Sequence, residues 1–360
     1  MEGSRSIYER WASGRLTQQA NTWWGDEIGP KASETIRPIF INANGIPAFN
    51  SHYKNASLFA AISILEPDMI GLSEVNAHWL NVPEDHRLHC RYAGWFRDGV
   101  HISLSYNTTR PVIGQHNYGG VCLLSIDQAR ARAKTKGQDP TGLGRWSWTT
   151  TTGKGTILLR TVTVYCPHDT GGPESVYAQH RHYLNNQDDE RTPREAFWED
   201  LCKEVAVWYA AGNQIIIGGD FNQDTATIDQ LQKFNMRDAL RQRHDGSTSE
   251  NRPTPATYNR GSTTLDAIFV TPSLVCTHCG YLEYGQFTPS DHRAPWIDIT
   301  YQVAYGNKIP EIVRAHARRL KCDDPRIVNK FNSDYVKYLK QHTSGKPNIY
   351  WCHKYLQILQ

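Results

Sequence analysis

Residues 214–222 read Q-I-I-I-G-G-D-F-N, a run of isoleucines that two glycines end and two polar side chains follow. Because Ile215–Ile217 are β-branched and show no polar alternation, they predict a strand buried on both faces. Asp220 and Asn222 then project from the carboxyl end of that strand, where a carboxylate and a carboxamide are well placed to act on a phosphate or a water. A strand followed by an ordinary Asp/Asn turn explains the same residues. The rest of the chain has to decide between the two interpretations.

Composition excludes several classes of protein. The chain has 360 residues and a net charge of +3, which suits a globular protein of one large or two ordinary domains. It contains no apolar run long enough to span a membrane and no secretory leader. Eight scattered cysteines predict free thiols in a reducing compartment, and hence an intracellular location, the nucleus included. Cys276-Thr277-His278-Cys279 looks like half a zinc site, but no second pair stands at zinc spacing, so structural thiols are expected.

The charge is unevenly distributed. Residues 305–360 hold eleven Lys/Arg against four Asp/Glu, a net charge of +7 that leaves −4 for residues 1–304. A basic tail of this kind suits polyanion binding, although a solvated helix without a partner explains the same charge. Residues 1–35 are polar and predict a loosely attached extension. The predicted organisation is therefore an extension over 1–35, a catalytic body over 36–304 and a basic helical tail over 305–360.

Predicted strands and a few helices follow one another without strict alternation. Thr192-Pro193-Arg194-Glu195 is a capping box with proline at the first helical position, and it predicts a long helix. Asn55 is expected to cap an earlier helix that Pro67 ends. Residues 130–136 read as a basic loop, and Ala256–Tyr258 as a strand. Many strands with few helices favour an α/β or α+β sandwich over a regular βαβ repeat.

Polar side chains follow most of the other predicted strands too. Taken alone, Asp266 reads as an acid in a turn at the sheet edge and His292 as a surface histidine. As an ordered set, these groups predict one catalytic site, because the carboxyl ends of strands can meet at one edge of a sandwich. The set is Asn42, Glu74, Tyr165, Asp220, Asn222, Asp266, Asp291 and His292.

Six segments, in order, resemble the endonuclease/exonuclease/phosphatase superfamily, whose fold is deoxyribonuclease I-like. Each motif is weak alone, but their order across about residues 37–303 makes the resemblance specific. It implies a four-layer α/β/β/α sandwich with two β-sheets face to face and helices outside each. The segments are I-N-A-N-G-I (41–46), G-L-S-E-V (71–75), V-Y-C-P-H (164–168), G-G-D-F-N (218–222), T-L-D-A-I-F-V (264–270) and S-D-H (290–292).

Within the superfamily the chain looks most like the endonuclease domains of non-LTR retrotransposons and related retroelement proteins. Asn44, a candidate substrate contact, stands where abasic-site repair endonucleases usually carry aspartate. Residues 257–261, read T-Y-N-R-G, and the basic segment after residue 305 are also similar to that branch. The resemblance implies double-stranded DNA as the partner and leaves open whether the chain is part of a longer polymerase-containing protein. The oligomeric state is not readable.

The resemblance also implies a metal. Phosphodiester cleavage needs a Lewis acid on a non-bridging oxygen and an activated water opposite the leaving group. Glu74 is the expected Mg²⁺ ligand, with Mn²⁺ as an alternative ion, because hard cations favour carboxylate oxygen. Asp291 is the second expected ligand, and Asn42 would complete that set or support it.

The remaining roles concern protons and hydrogen bonds. His292 with Asp266 resembles the family's His–Asp dyad, in which the carboxylate fixes the imidazole tautomer and stabilises its cationic form. Asp220 would align or deprotonate the attacking water. Asn222 and Tyr165 would donate hydrogen bonds to the phosphoryl group.

One departure from the family pattern concerns the substrate. His168 stands after Tyr-x-Pro, where nuclease members usually carry an asparagine that contacts phosphate. Alternatives to a DNA endonuclease therefore stay open at this point. They are a phosphoesterase of the same fold that acts on RNA, lipid or small phosphate esters, and a catalytically silent relative that binds nucleic acid.

Overall fold

The structure is a computed structural model that describes residues 23–47, 52–96, 99–169, 172–244, 253–306 and 325–342. The chain divides into two compact units, Met1–Pro310 and Glu311–Gln360. In the second unit the described residues form one helix, α8 (Pro325–His342). No described helix is both long enough and apolar enough to cross a membrane.

The described part of the first unit contains strands and helices in irregular alternation. The strands are β1 (Trp24–Gly25), β2 (Thr35–Ile36), β3 (Pro38–Asn42), β4 (Met69–Ser73), β5 (Val100–Ser105), β6 (Val121–Ile126), β7 (Ala133–Gln138), β8 (Trp146–Thr152), β9 (Leu158–Tyr165), β10 (Gln214–Asp220), β11 (Arg237–Asp238), β12 (Asp266–Val270), β13 (His278–Tyr281) and β14 (Pro295–Thr300). The α-helices are α1 (Tyr53–Leu65), α2 (Leu88–Ala93), α3 (Asp127–Arg132), α4 (Val176–Asn185), α5 (Pro193–Ala210), α6 (Ala239–His244) and α7 (Tyr301–Tyr305).

The strands form two mixed sheets. The larger sheet has the order β1-β13-β14-β3-β4-β6-β5, with β2 also paired to β14, and the smaller has the order β11-β12-β10-β9-β8-β7. Strands β3 and β4 are parallel in one sheet, and β9 and β10 are parallel in the other. The carboxyl ends of these four strands carry polar motifs. Because the strands of each pair are parallel and adjacent, their two motifs lie side by side at the same edge of the sheet. The α/β sandwich with two mixed sheets and flanking helices confirms the predicted fold class.

Each central strand contributes to two cores. Phe40 of β3 packs in a cluster shared by both sheets, whereas its neighbours Ile39 and Ile41 pack with α1 on the outer face. In β10, Ile216 faces the shared cluster while Ile215 and Ile217 pack against α5. Successive side chains point to opposite faces of a strand, so a strand covered on both faces needs apolar residues throughout. This confirms the prediction made from the isoleucine run.

The two glycines of the G-G-D-F-N motif are required for different structural reasons. A Cβ on Gly218 would lie 2.4 Å from the Phe40 ring, so glycine lets the two sheets approach each other at this point. Gly219 has a φ of +144°, and a Cβ there would lie 2.2 Å from the Val164 carbonyl oxygen. Both positions therefore require glycine, directly before the first polar group of the motif.

The long helix α5 begins where the sequence predicted. The Thr192 side chain accepts from the backbone N–H of Glu195, and the Glu195 carboxylate accepts from the N–H of Thr192, which completes the capping box. The earlier helix α1 differs: it begins at Tyr53 and its cap is His52, whose Nδ1 accepts from Lys54 N at 3.2 Å. The prediction of Asn55 as the cap is wrong by one turn, because Asn55 lies inside the helix and is buried.

Other local predictions also need correction. Residues 130–136 are the end of α3 and the start of the edge strand β7, not a loop. Lys134 and Lys136 on β7 are exposed, and such charged edge strands carry little apolar signal. Within the predicted N-terminal extension, Trp24 pairs with Tyr281 and is only 8% exposed, so this part belongs to the larger sheet. Residues 1–22 lie outside the described residues.

Two further points concern short elements. The strand predicted at Ala256–Tyr258 is reduced to a single bridge between Tyr258 and His292. All six cysteines in the described ranges are free thiols, of which Cys90 is exposed.

Candidate active site

Strand ends from both sheets meet at one place. Asp220 at the end of β10 lies in register with Tyr165 of β9 and with Asp266 of β12. Asn42 ends β3 in the other sheet, and its Nδ2 donates to Asp220 Oδ2 at 2.8 Å. This hydrogen bond joins the two sheets at the site.

The centre of the site is a buried chain of three ionisable groups. His292 Nδ1 donates to Asp266 Oδ2 at 2.8 Å, and His292 Nε2 lies 3.9 Å from Asp220 Oδ2. Both carboxylates are fully buried and the imidazole is 6% exposed. The histidine therefore stands between two carboxylates with little water to screen it.

Burial and this crowding set the charges. Burial disfavours the imidazolium of His292, but the carboxylates of Asp266 and Asp220 outweigh it and raise the pKa of His292. Burial, together with the Asp266 carboxylate, raises the pKa of Asp220 from 3.8 to about 7. At neutral pH His292 is therefore a cation, and Asp220 can gain or lose a proton.

Local backbone contacts hold this chain. Ser290, the first residue of the S-D-H motif, donates through Oγ to Asn42 O at 2.6 Å and accepts from His292 N at 3.1 Å. Thr257 Oγ1 accepts from the N–H groups of Leu265 at 2.8 Å and Asp266 at 3.0 Å. The motifs around residues 257 and 290 therefore position the dyad through backbone hydrogen bonds.

A second part of the site contains Asn44 and Asp291. Asn42 Oδ1 accepts from Asn44 N at 2.9 Å, in a turn where Asn44 has a φ of +44°. Asn44 Nδ2 donates to Asp291 Oδ1 at 3.2 Å, and the exposed Arg260 lies 3.6 Å from Asp291 Oδ2. Asp291 is thus held at the rim, next to the buried His292.

A third part contains Glu74, Tyr165 and Asn222. The Tyr165 hydroxyl donates to Glu74 Oε1 in a short hydrogen bond. Burial and the Glu74 carboxylate raise the pKa of Tyr165 well above its ordinary value, so it remains a donor. Asn222, with a φ of +49°, donates through Nδ2 to Cys166 O at 2.8 Å, and its N–H donates to Asp220 Oδ1 at 2.8 Å.

His168 is the remaining predicted residue of the site. Its side chain is exposed and lines a cleft that Glu74 and Tyr165 also line. The structure thus brings Asn42, Asn44, Glu74, Tyr165, Asp220, Asn222, Asp266, Asp291 and His292 together and leaves His168 at the side of the site.

Sequence reasoning missed Lys54. Its Nζ donates to Asn44 O at 2.9 Å, and the side chain is buried. Burial lowers the pKa of Lys54 to about 8, against the opposing effect of the Asp291 and Glu74 carboxylates. The missed signal was the helix start: a cap at His52 places Lys54 in the first turn of α1, facing the site.

Among the residues that the structure describes, two groups of acidic, histidine or cysteine side chains have the geometry to hold a metal ion. Asp220, Asp266 and His292 form one, but its members already form the hydrogen-bonded chain described above. Asp26, His244 and Cys279 form the other. There Asp26 Oδ2 accepts from Arg243 Nε at 2.5 Å and from Cys279 N at 2.9 Å, so a guanidinium already neutralises the only carboxylate.

Comparisons with known proteins concern the family and the fold. A sequence model of the Endonuclease/Exonuclease/phosphatase family matches residues 39–292, which include all ten predicted site residues. A search of curated proteins found no match.

Among solved structures, the AP endonuclease LMAP from Leishmania major is 15% identical with a TM-score of 0.54, over 83% of this chain and 96% of that one. The human Nocturnin catalytic domain with bound sulfate is 19% identical with a TM-score of 0.52, over 75% and 96%. The 3′ phosphatase NExo from Neisseria, bound to a product DNA hairpin, is 17% identical with a TM-score of 0.51, over 73% and 99%. At these identities the likeness concerns the fold.

Proposed function

The chain belongs to the endonuclease/exonuclease/phosphatase family, and from this premise we propose that it is a Mg²⁺-dependent DNA endonuclease that nicks duplex DNA. The observation that carries the proposal is the buried chain Asp266–His292–Asp220. The carboxylates of Glu74 and Asp291 are near enough to this chain to raise the pKa values of Asp220 and His292. The imidazolium of His292 lies between two carboxylates, and one of these, Asp220, has a pKa of about 7. A hydrogen-bond donor beside such a base suits in-line attack of water on a phosphodiester.

The chain's own groups divide the work. Asp220 accepts the proton of the attacking water, which its raised pKa allows near neutral pH. His292, kept cationic by its carboxylates, offers its Nε2 proton to the phosphoryl oxygens as negative charge develops there. Tyr165 and Asn222 hold the position of Glu74 and Asp220 and present donors at the same edge. Water attack with departure of the 3′ oxygen leaves 5′-phosphate and 3′-hydroxyl ends.

The donor set fits a hard divalent cation. Glu74, Asp291 and Asn42 offer only oxygen ligands, the set that Mg²⁺ prefers, with Mn²⁺ as an alternative. When bound, the ion would supply a Lewis acid that neutralises charge on the phosphoryl oxygens. Glu74→Gln keeps the shape and removes the anionic oxygen, so it should abolish Mg²⁺ binding and turnover together.

DNA is favoured by positive charge around the site and in the tail. Arg260 is 73% exposed beside Asp291 and stacks over Tyr258 at 5.0 Å, where it can reach a backbone phosphate. Helix α8 carries exposed Lys330 and Lys337. Each phosphate neutralised adds about 0.9 to the slope of log affinity against log salt. Replacing both lysines with glutamine should therefore flatten that slope and leave turnover of a short oligonucleotide at low salt unchanged.

The test offers three substrates with Mg²⁺: supercoiled plasmid, single-stranded RNA and a chromogenic phosphodiester. The protein should nick the plasmid to the open-circle form and act weakly on the other two, and Glu74→Gln should be inactive on all three. Preference should follow groove width and flexible steps rather than a defined sequence. Linear DNA as the first product, or faster turnover of the small ester, would contradict the proposal. We also propose that the endonuclease is of the retroelement type, and this part of the proposal is supported by the sequence motifs alone.

A second candidate is a phosphoesterase that acts on RNA, lipid or small phosphate esters. The observation that favours it is His168, which replaces the asparagine of nuclease members and lines the cleft beside Glu74. His168→Asn distinguishes the two functions. The variant should nick DNA at least as well as the parent if the chain is a nuclease, and should lose turnover selectively on the small ester if it is not.

A further inference from the structure

A second cluster of metal-ligand side chains lies where β1, α6 and β13 meet. Asp26 follows β1, His244 ends α6 and Cys279 belongs to β13, and one ligand atom of each lies within 4.8 Å of the others. We propose that these three side chains, together with Cys276, bind a zinc ion that joins β1 and α6 to the larger sheet. The site is separate from the proposed active site, and its test does not depend on the proposed function.

The cysteines are the half of the site that is visible in the sequence. Cys276-Thr277-His278-Cys279 has the two-residue spacing at which one segment offers a zinc ion two thiols. Burial, and after it the Cys276 thiol, raise the pKa of Cys279, so the two thiols are near each other. His278 is exposed at the start of β13, whereas Cys279 is fully buried. The ligands from this segment are therefore the thiols and not His278.

The fold supplies the other half from residues that are far away in the sequence. Asp26 N donates to Cys279 O at 2.9 Å, and Cys279 N donates to Asp26 Oδ2 at 2.9 Å, so β1 and β13 hold the acid beside the thiol. His244 Nε2 lies 3.0 Å from Cys279 O and 3.7 Å from Asp26 Oδ2. Tertiary structure thus assembles the second ligand pair that no sequence spacing reveals.

Two glycines leave the space that the cluster needs. A Cβ on Gly25, which has a φ of +88°, would lie 2.6 Å from Cys279 O and 3.1 Å from His244 Nε2. A Cβ on Gly280 would lie 3.0 Å from Asp26 O. A larger residue at either position would push β1 away from β13 and separate the ligand atoms.

The charges suit a zinc ion with thiolate ligands. Arg243 Nε donates to Asp26 Oδ2 at 2.5 Å, which disfavours a hard cation that depends on this carboxylate alone. A zinc ion with two thiolates and one carboxylate has one net negative charge, and the guanidinium neutralises it. Asp26 Oδ1, whose contact with Arg243 Nη2 is longer at 3.4 Å, is the better oxygen ligand.

The ligand types and their burial indicate a structural ion. Thiolate and imidazole select Zn²⁺ over Mg²⁺ and Ca²⁺, which take oxygen ligands. The His244 side chain is 11% exposed, and the Trp24 ring packs edge-on against it with centroids 5.1 Å apart. Four protein ligands in such a dry setting are typical of zinc that stabilises a fold. The bound ion would hold β1 and the end of α6 against β13.

The first measurement is zinc content. The full chain, expressed with zinc sulfate and desalted under reducing conditions, should retain about one zinc ion per chain by inductively coupled plasma mass spectrometry. Cys279→Ala, Cys276→Ser and His244→Asn should each lose most of it. His278→Asn in the same motif and Cys202→Ser, at a buried cysteine on α5, are the matched controls and should keep it.

The second measurement identifies the ligands with cobalt. Co²⁺ added to the reduced, zinc-free parent should give the near-ultraviolet charge-transfer absorption of a thiolate–cobalt bond. At saturating Co²⁺, Cys276→Ser should lower that absorption by about half, because one of two thiolates remains. Since the parent itself is titrated, this result does not depend on whether a variant folds.

The third measurement is thermal unfolding with Mg²⁺ held constant, so that the proposed catalytic ion does not vary. A chelator selective for zinc should lower the Tm of the parent by about 2 °C or more and leave that of His244→Asn unchanged. A reduced parent with neither retained zinc nor a cobalt–thiolate band would overturn the inference. Equal zinc content in the parent and the three ligand variants would overturn it too. A parent that retains zinc but nicks no DNA would overturn the proposed function alone.

Discussion

Two of the clusters of buried acids in the described part of the chain differ in how their charge is balanced. In the first, Arg145 donates to both oxygens of Asp139, through Nε at 2.7 Å and Nη2 at 3.0 Å, and to Asp200 at 3.0 Å. In the second, a single imidazole serves two carboxylates: His292 contacts Asp266 at 2.8 Å but lies 3.9 Å from Asp220. The first cluster pairs its acids with a permanent cation, whereas the second has two carboxylates and a single imidazolium.

The pKa shifts follow from this difference. Burial alone would raise the pKa of Asp139, but the hydrogen bonds from Arg145 outweigh it and lower that pKa. In the second cluster burial and Asp266 prevail, and the pKa of Asp220 rises from 3.8 to about 7. A raised pKa means that the ionised acid destabilises the fold. Functional sites commonly keep such groups because they use them, and the raised pKa of Asp220 therefore supports the proposed active site.

The largest expected effect is on catalysis. Asp220→Asn and His292→Asn should each lower kcat by about a hundredfold to ten-thousandfold, the range for a positioned acid or base. The far-ultraviolet circular dichroism of both variants should match that of the parent, because neither side chain belongs to a hydrophobic core cluster. Turnover within tenfold of the parent in either variant would remove that residue from the proposed mechanism.

The next effect concerns the balanced cluster. Arg145→Met leaves Asp139 buried without its cation and should lower the free energy of unfolding by about 3–5 kcal/mol, measured by urea denaturation. Adding Asp139→Asn to this variant should recover part of the loss, since no buried charge remains. Turnover per folded molecule should change little. A loss confined to turnover would mean that the two clusters are not functionally distinct.

The pH dependence of stability should have opposite signs in the two clusters. The folded-state pKa of Asp220 lies near 7, above its unfolded value of 3.8. The ionised carboxylate therefore destabilises the fold above pH 7, and protonation removes this cost as the pH falls towards 4. With EDTA present, Asp220→Asn should be more stable than the parent by about 1–4 kcal/mol at pH 8, and this advantage should vanish near pH 4.

Asp139 provides the matched contrast. Its folded-state pKa is lowered, so its stabilising effect is present above the unfolded value of 3.8 and is lost as the pH falls through the folded value. Asp139→Asn should therefore be less stable than the parent at pH 7, and the difference should shrink only in acid. The same pH trend in both variants would show that the two clusters are electrostatically alike.

Sequence reasoning reached the fold because its signals were local and redundant. An isoleucine run without alternation, two glycines and Asp220 lie within one strand and its turn, and β10 has the predicted form. It missed β7, whose residues from Ala133 to Gln138 are mostly exposed and are held by backbone pairing with β8. It also missed β1, because the pairing of Trp24 with Tyr281 joins residues far apart in the chain.

The site shows the same limit. Motifs named the acids and His292, but Lys54 carries no motif and reaches the site only because α1 begins at Tyr53. The G-G-D-F-N motif singled out Asp220, but the sequence shows neither how that acid is balanced nor that Asp139 is a buried acid with a permanent cation. The distances to Arg145 and His292 supply this difference.

The smallest expected effect concerns Asp200, the most exposed acid of the Arg145 cluster. Asp200 is 17% exposed and accepts from Arg145, Arg191 and Lys203 at 3.0, 3.1 and 3.3 Å. Asp200→Asn keeps an acceptor oxygen and leaves Asp139 on Arg145, so it should lower the free energy of unfolding by about 1 kcal/mol or less. Added salt should shrink the difference further.

Glu199→Gln is the matched control, since Glu199 is 57% exposed and contacts Arg191 alone of these cations, at 2.9 Å. Its effect should be close to zero, because exposed pairs contribute little. If Asp200→Asn instead cost as much as Arg145→Met, the charge of Arg145 would be balanced chiefly by Asp200. Asp139 would then be a buried acid without sufficient compensation, like Asp220, and charge balance could no longer distinguish the structural cluster from the catalytic one.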